Sequence, residues 1–130
     1  MAERIQTILI VDDDARTRET LRRVLTSAGY DVHQASDGRR GLDFLQSTAV
    51  DLVILDIFMP ELDGIVVITR MRKDFPNIPV LAVSGGGMLE RNKTLEIAQL
   101  LGASDTLAKP FDKQTLLSMV EKLLGRSASS

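Results

Sequence analysis

Four short runs, each closed by a polar functional group, constrain this chain most. Ile8 to Val11 is followed by Asp12 and Asp13, and Leu52 to Leu55 by Asp56. Val80 to Val83 is followed by Ser84, and Thr106 to Ala108 by Lys109. The three longest runs are rich in Val, Ile and Leu and show no apolar–polar alternation. Strands of that kind are covered on both faces, as in a parallel sheet packed between helices. Two acids, a third acid, a hydroxyl and a cation then sit at the carboxyl ends of the strands. In an open parallel sheet, that edge is where ligands bind.

Helical patterns fill the gaps. After Asp14, a capping residue type, apolar residues recur at Leu21, Val24, Leu25 and Ala28, and Gly29 closes the pattern. A weak strand around Val32 precedes a short helix after Asp37-Gly38 that carries Leu42 and Leu45. Gly64 opens a helix through Ile65, Ile68 and Met71, stopped near Pro76. Another spans about Met88 to Leu101 and ends at Gly102. The last follows Asp112 and carries Leu116, Leu117, Val120 and Leu124. About five β–α units predict an α/β fold, a doubly wound five-stranded parallel sheet with helices on both faces. The flavodoxin-like order 2-1-3-4-5 would put the switch point between the first and third strands and gather Asp12, Asp13 and Asp56 in one pocket.

Composition removes several classes of function. A chain of 130 residues with 44% hydrophobic and 26% charged residues suits one globular domain. The net charge of -2 argues against nucleic acid as a partner. Without cysteine there is neither a disulfide framework nor a thiolate metal site. The N-terminus has no signal-peptide core, and no apolar run approaches the ~18 residues of a membrane span. A cytoplasmic protein with no membrane partner is the expectation.

Clustered carboxylates repel one another by about 4 kcal/mol per pair at ~4 Å and an effective dielectric of ~20. A site built from Asp12, Asp13 and Asp56 therefore calls for a cation. Oxygen ligands without nearby His or Cys suit a hard divalent ion, with Mg²⁺ the best match because it commonly uses carboxylates together with a phosphate. Lys109 adds a further positive charge and Ser84 a hydroxyl. Together they describe a place for a phosphoryl group, with Asp56 as the attacking nucleophile that becomes an aspartyl phosphate.

With these residues in place, the chain resembles the receiver domain of two-component response regulators over roughly Thr7 to Leu124. The matching residues are Val11-Asp12-Asp13, Asp56 with Met59-Pro60 and Asp63-Gly64, Ser84-Gly85, and Lys109-Pro110-Phe111. Each is weak alone, whereas in this order and at strand ends they are specific. The resemblance implies that Asp56 accepts phosphate from a histidine kinase or a histidine phosphotransfer protein, in a domain that is a signalling switch and no enzyme beyond its own phosphorylation and dephosphorylation. It implies Mg²⁺ held by Asp13, Asp56 and the Phe58 carbonyl, with Asp12 acting largely through water. It also implies a cis Lys109-Pro110 peptide and a downstream protein target that depends on the phosphorylated state.

Two positions depart from the family pattern. The switch residue three before Lys109 is usually aromatic, and here it is Thr106. The segment from Ser84 to Gly102 is longer than usual and begins with Gly85-Gly86-Gly87. The glycine loop is similar to that of a subset of stand-alone receivers. The expected division is therefore a receiver over 1–125, a flexible tail over 126–130 and no output domain, with an output surface centred on Gly85 to Arg91.

Blander and rival readings stand beside these. Asp14 reads as a helix cap only. The basic residues Arg16, Arg18, Arg22 and Arg23 read as a solvated face balanced by Glu19, or as a kinase-docking face. His33 reads as structural or exposed, and the five methionines mainly as core filler. A haloacid-dehalogenase-like phosphatase would use Asp12 and Asp14 as its Asp-x-Asp pair, but it leaves Asp56 to Gly64 unexplained. A flavodoxin-like cofactor carrier lacks the hydroxyl-rich phosphate loop after the first strand.

Overall fold

A computed structural model of the chain describes residues 4–85, 93 and 96–125. Its strands are β1 (Thr7–Val11), β2 (Asp31–Ala35), β3 (Leu52–Asp56), β4 (Val80–Ser84) and β5 (Asp105–Ala108). The helices are α1 (Ala15–Ser27), α2 (Gly38–Ser47), α3 (Asp63–Asp74), α4, of which residues 96–100 are described, and α5 (Lys113–Leu123). A 3-10 turn, Pro60–Leu62, leads into α3. All the strand pairings are parallel and the order is β2-β1-β3-β4-β5, as the converging acids required. The expected start of the fourth helix near Met88, glycine-loop residues 86 and 87, the output segment as far as Arg91 and the 126–130 tail lie outside the described residues.

The central strands lack alternation because each face has its own core. Leu9, Val11, Val53, Leu55, Val80 and Ala82 point one way, onto Leu45 of α2, Val67, Ile68 and Met71 of α3 and Ala98 of α4. Ile8, Ile10, Leu52, Ile54, Leu81 and Val83 point the other way, onto Leu21 and Leu25 of α1 and Leu116 and Val120 of α5. Successive strand residues face opposite sides, so both parities must be apolar. Of the five methionines, Met59 and Met71 are buried and Met119 packs at the core margin, consistent with a filling role.

Helix ends follow local chemistry. The Asp14 side chain accepts the Arg16 N–H, and Asp37 and Asp112 cap α2 and α5 in the same way. At the end of α1, Gly29 adopts φ 98°, a region open to glycine. Its N–H bonds to Thr26 O and that of Tyr30 to Leu25 O, which helps satisfy the carbonyls of the last helical turn. Tyr30 is thereby folded back against the same core as Leu25. On α1, Arg22 and Arg23 pair with Glu19 at 2.7 and 3.2 Å, in line with a balanced solvated face. His33 is half-exposed, 3.1 Å from Asp31, with its ring against Phe44. Among the described residues, no helix is long and apolar enough to cross a membrane.

Candidate phosphoryl-acceptor site

The strand order creates the site. Chain leaving β1 enters α1 on one face of the sheet, while chain leaving the adjacent β3 enters α3 on the other. A crevice opens between them at the carboxyl edge. Register aligns the strand ends across the sheet, with Val11 beside Leu55, Asp56 beside Val83 and Ser84 beside Ala108. The residues that follow must converge.

Burial singles out the same place. Among the described residues, the buried polar or charged residues are Asp12, Asp56 and Ser84, at 2%, 6% and 0% exposure. All lie at this edge, whereas Asp13 is exposed at its mouth. Burial of polar groups is costly and calls for partners. Asp12 is engaged through both carboxylate oxygens: Oδ1 accepts the Asp14 N–H at 2.9 Å, and Oδ2 receives Lys109 Nζ at 3.2 Å. Asp56 Oδ1 accepts the Phe58 N–H at 2.9 Å, and its Oδ2 lies 3.5 Å from Lys109 Nζ. The Ser84 hydroxyl donates to the Gly85 carbonyl at 3.3 Å.

Electrostatics at this edge are unbalanced. Carboxylate oxygens of Asp12, Asp13 and Asp56 all lie within 4.8 Å of one another. Burial, with a smaller contribution from Asp12, pushes the Asp56 carboxyl up to about 6 against the opposing pull of Lys109. For Lys109, burial disfavours the charge, but Asp56 and Asp12 outweigh it and hold the ammonium above its ordinary value. Lys109 pairs with Asp12 and Asp56, and Asp13 adds a third carboxylate to the cluster. The donor set is oxygen only, clustered and partly open at Asp13, which fits a hard divalent cation.

The loop from Asp56 to α3 is tightly set. Glu61 holds φ 61°, unusual for a residue with a side chain, and such outliers gather at functional sites. Asp63, the first residue of α3, accepts the Gly38 N–H and so ties α3 to the start of α2. Gly64 lies so close to the end of β3 that a Cβ there would fall 2.5 Å from the Asp56 carbonyl oxygen and 2.6 Å from Ile57 Cα.

Asp12, Asp13, Asp56 and Lys109 are thus brought together, with Ser84 at the adjoining strand end. The Lys109-Pro110 peptide is cis. Thr106 stands half-buried opposite Ala82. The phosphatase pairing of Asp12 with Asp14 gains no support, because Asp14 is exposed and spends its carboxylate on the α1 cap. Sequence reasoning missed Arg18, whose guanidinium reaches the Asp12 carbonyl at 2.8 Å, and the close packing of Gly64. Arg18 carried no signal beyond basic charge. The glycine in Asp63-Gly64 was visible, but its contact partner was not.

The chain resembles known proteins along most of its length. Residues 8–121 match the family model described as the response regulator receiver domain. Response regulator MprA of Mycolicibacterium vanbaalenii is 41% identical over 121 residues, covering 92% of this chain and 51% of that protein. MprA of Mycobacterium avium is 40% identical over 121 residues, with the same shares. The chain therefore spans about half the length of the curated relatives it matches. Among solved structures, the receiver domain of NtrX from Brucella abortus superposes with a TM-score of 0.83 at 33% identity, over 92% of this chain and 99% of that one. A CheY-like receiver domain protein from Methanospirillum hungatei gives 0.84 at 26%, over 94% and 95%. With its five-stranded sheet, its order 2-1-3-4-5 and these relatives, the chain belongs to the response regulator receiver domain family, a signalling domain of two-component systems.

Proposed function

We propose that this chain is a phosphorylation-dependent switch in which Asp56 accepts a phosphoryl group from a phosphohistidine of a histidine kinase or phosphotransfer protein. The observation that carries this is the gathering of the buried polar side chains at one sheet edge, with a carboxylate held above its ordinary pKa beside a lysine. An oxygen of Asp56 would attack phosphorus as the P–N bond breaks, and the electron pair would leave with the imidazole, which takes up a proton. The Phe58 N–H holds one Asp56 oxygen and so leaves the other, Oδ2, turned toward Lys109. Lys109 would then meet a phosphoryl oxygen, and the Ser84 hydroxyl would turn from Gly85 to another.

Asp13, Asp56 and the Phe58 carbonyl would hold Mg²⁺, with Asp12 acting through water. The ion would neutralise charge on the carboxylates and the phosphoryl oxygens. Residues up to 125 would form the receiver unit, and the downstream target would be a protein that distinguishes the two phosphorylation states. Incubation with acetyl phosphate and Mg²⁺ tests the reading. The expected product carries one phosphoryl group per chain, labile to hydroxylamine and lost when EDTA replaces Mg²⁺. Absence of any such adduct would overturn it.

Asp13→Ala tests the metal assignment separately. Calorimetric titration should find Mg²⁺ binding weakened by at least about tenfold, since even outer residues of metal sites carry effects of that size. The metal-free variant should be no less stable than wild type, because a carboxylate has left a crowded acidic cluster. Unchanged Mg²⁺ affinity would remove Asp13 from the ligand set.

A further inference from the structure

Arg18 lies in the first turn of α1, where its backbone N–H bonds to Asp14 O at 3.0 Å. Its half-buried side chain folds back along the helix, and its guanidinium donates to the Asp12 carbonyl at 2.8 Å. The Asp12 N–H is also engaged, with Ala35 O at 3.2 Å. Together with the bonds to Asp14 N–H and Lys109 Nζ, this occupies the main-chain groups and both carboxylate oxygens of Asp12. The carbonyl that Arg18 holds belongs to the peptide that joins Asp12 to Asp13. Orientation of that peptide plane sets the backbone from which the exposed Asp13 carboxylate projects.

We propose that Arg18 is a positioning residue for the cation site: by clamping the Asp12–Asp13 peptide it fixes Asp13 relative to Asp56. The bond is charge-assisted and therefore stronger than one from a neutral donor. It comes from a rigid helix, whereas the acids it serves lie on a loop. The proposal rests on the Mg²⁺ reading above. Simple electrostatics makes the opposite forecast, because a guanidinium near the site repels Mg²⁺ and its removal should tighten binding. The sign of the effect therefore separates positioning from charge.

Arg18→Met keeps an aliphatic stem and deletes the guanidinium, and Arg18→Lys restores a charged donor. Calorimetric titration with MgCl2 should show about tenfold weaker binding for Arg18→Met, with partial recovery in Arg18→Lys. In metal-free protein, the Asp13 and Asp14 amides should exchange faster in Arg18→Met, while those of the β1 and β3 cores keep wild-type protection. Equal or tighter Mg²⁺ binding by Arg18→Met, with wild type binding normally, would overturn the role of Arg18 alone. Faster exchange spread across the core would also overturn it, since Arg18 would then be supporting the whole fold. A wild-type protein that takes up no Mg²⁺ would overturn the metal reading and this role with it.

Discussion

Asp56→Asn should abolish hydroxylamine-labile phosphorylation and at the same time make the metal-free protein more stable at neutral pH. Loss of the adduct follows from loss of the nucleophile, since an amide oxygen cannot replace the carboxylate as acceptor. The gain in stability follows from burial. The Asp56 carboxyl is held up at about 6 against an ordinary value of 3.8, so the folded protein binds this proton more readily than the unfolded chain. Stability associated with Asp56 is therefore fully present below about pH 4 and is lost as pH rises through about 6. At pH 7 the ionised form costs up to about 3 kcal/mol, at 1.36 kcal/mol per pKa unit. Asn removes that cost and can keep an oxygen for the Phe58 N–H. Thermal melts of metal-free wild type should fall between pH 4 and 6.5, and the variant should lack that fall. A wild-type profile no steeper than that of Asp56→Asn would refute the burial argument. A surviving adduct in the variant would move the acceptor to Asp12 or Asp13.

Gly64→Ala should be among the most damaging single-methyl additions in the chain. The new Cβ would lie 2.5 Å from the Asp56 carbonyl oxygen and 2.6 Å from both Ile57 Cα and Ile57 O. These are backbone atoms at the end of β3 and just beyond it, so no side-chain rotation relieves the clash. The start of α3 must move off β3, or the Asp56–Ile57 segment must shift. Overpacking of this kind costs about 1–3 kcal/mol, or roughly 5–10 °C in melting temperature for a domain of this size. Because the displaced atoms include Asp56, Mg²⁺ affinity should fall as well. A melting temperature within 2 °C of wild type would show that α3 is seated more loosely than its packing indicates.

These two residues mark different depths of legibility. Asp56 could be read directly: it ends an apolar run, precedes Met59-Pro60 and Asp63-Gly64, and shares a strand-end pattern with Asp12, Ser84 and Lys109. The central strands β1, β3 and β4 were legible because both of their faces are buried, which requires both parities of residue to be apolar, whereas the half-exposed β2 gave only a weak pattern. Capping acids before α1, α2 and α5 and Gly29 were legible because a helix end is satisfied by its immediate neighbours in sequence. Each of these signals is local, acting within a few residues.

Tertiary structure decided what depends on distance across the chain. The adjacency of β1 and β3 brings Asp12 and Asp56 to the same lysine, although 97 positions separate Asp12 from Lys109. The same adjacency desolvates Asp56 and thereby sets its pKa. The Asp63 bond to Gly38, 25 positions away, was invisible for the same reason. The Arg18 clamp and the seat of Gly64 against Asp56 are short in sequence, but each depends on how a helix packs back onto the strand end before it. Arg18 reads as one basic residue among several until α1 is folded over its own entry loop. By itself the sequence determined which groups end the strands and how each helix starts and stops. Only the packed sheet decided which groups meet, how close they come and what charge they can carry, because desolvation and Coulomb energy depend on separation in space.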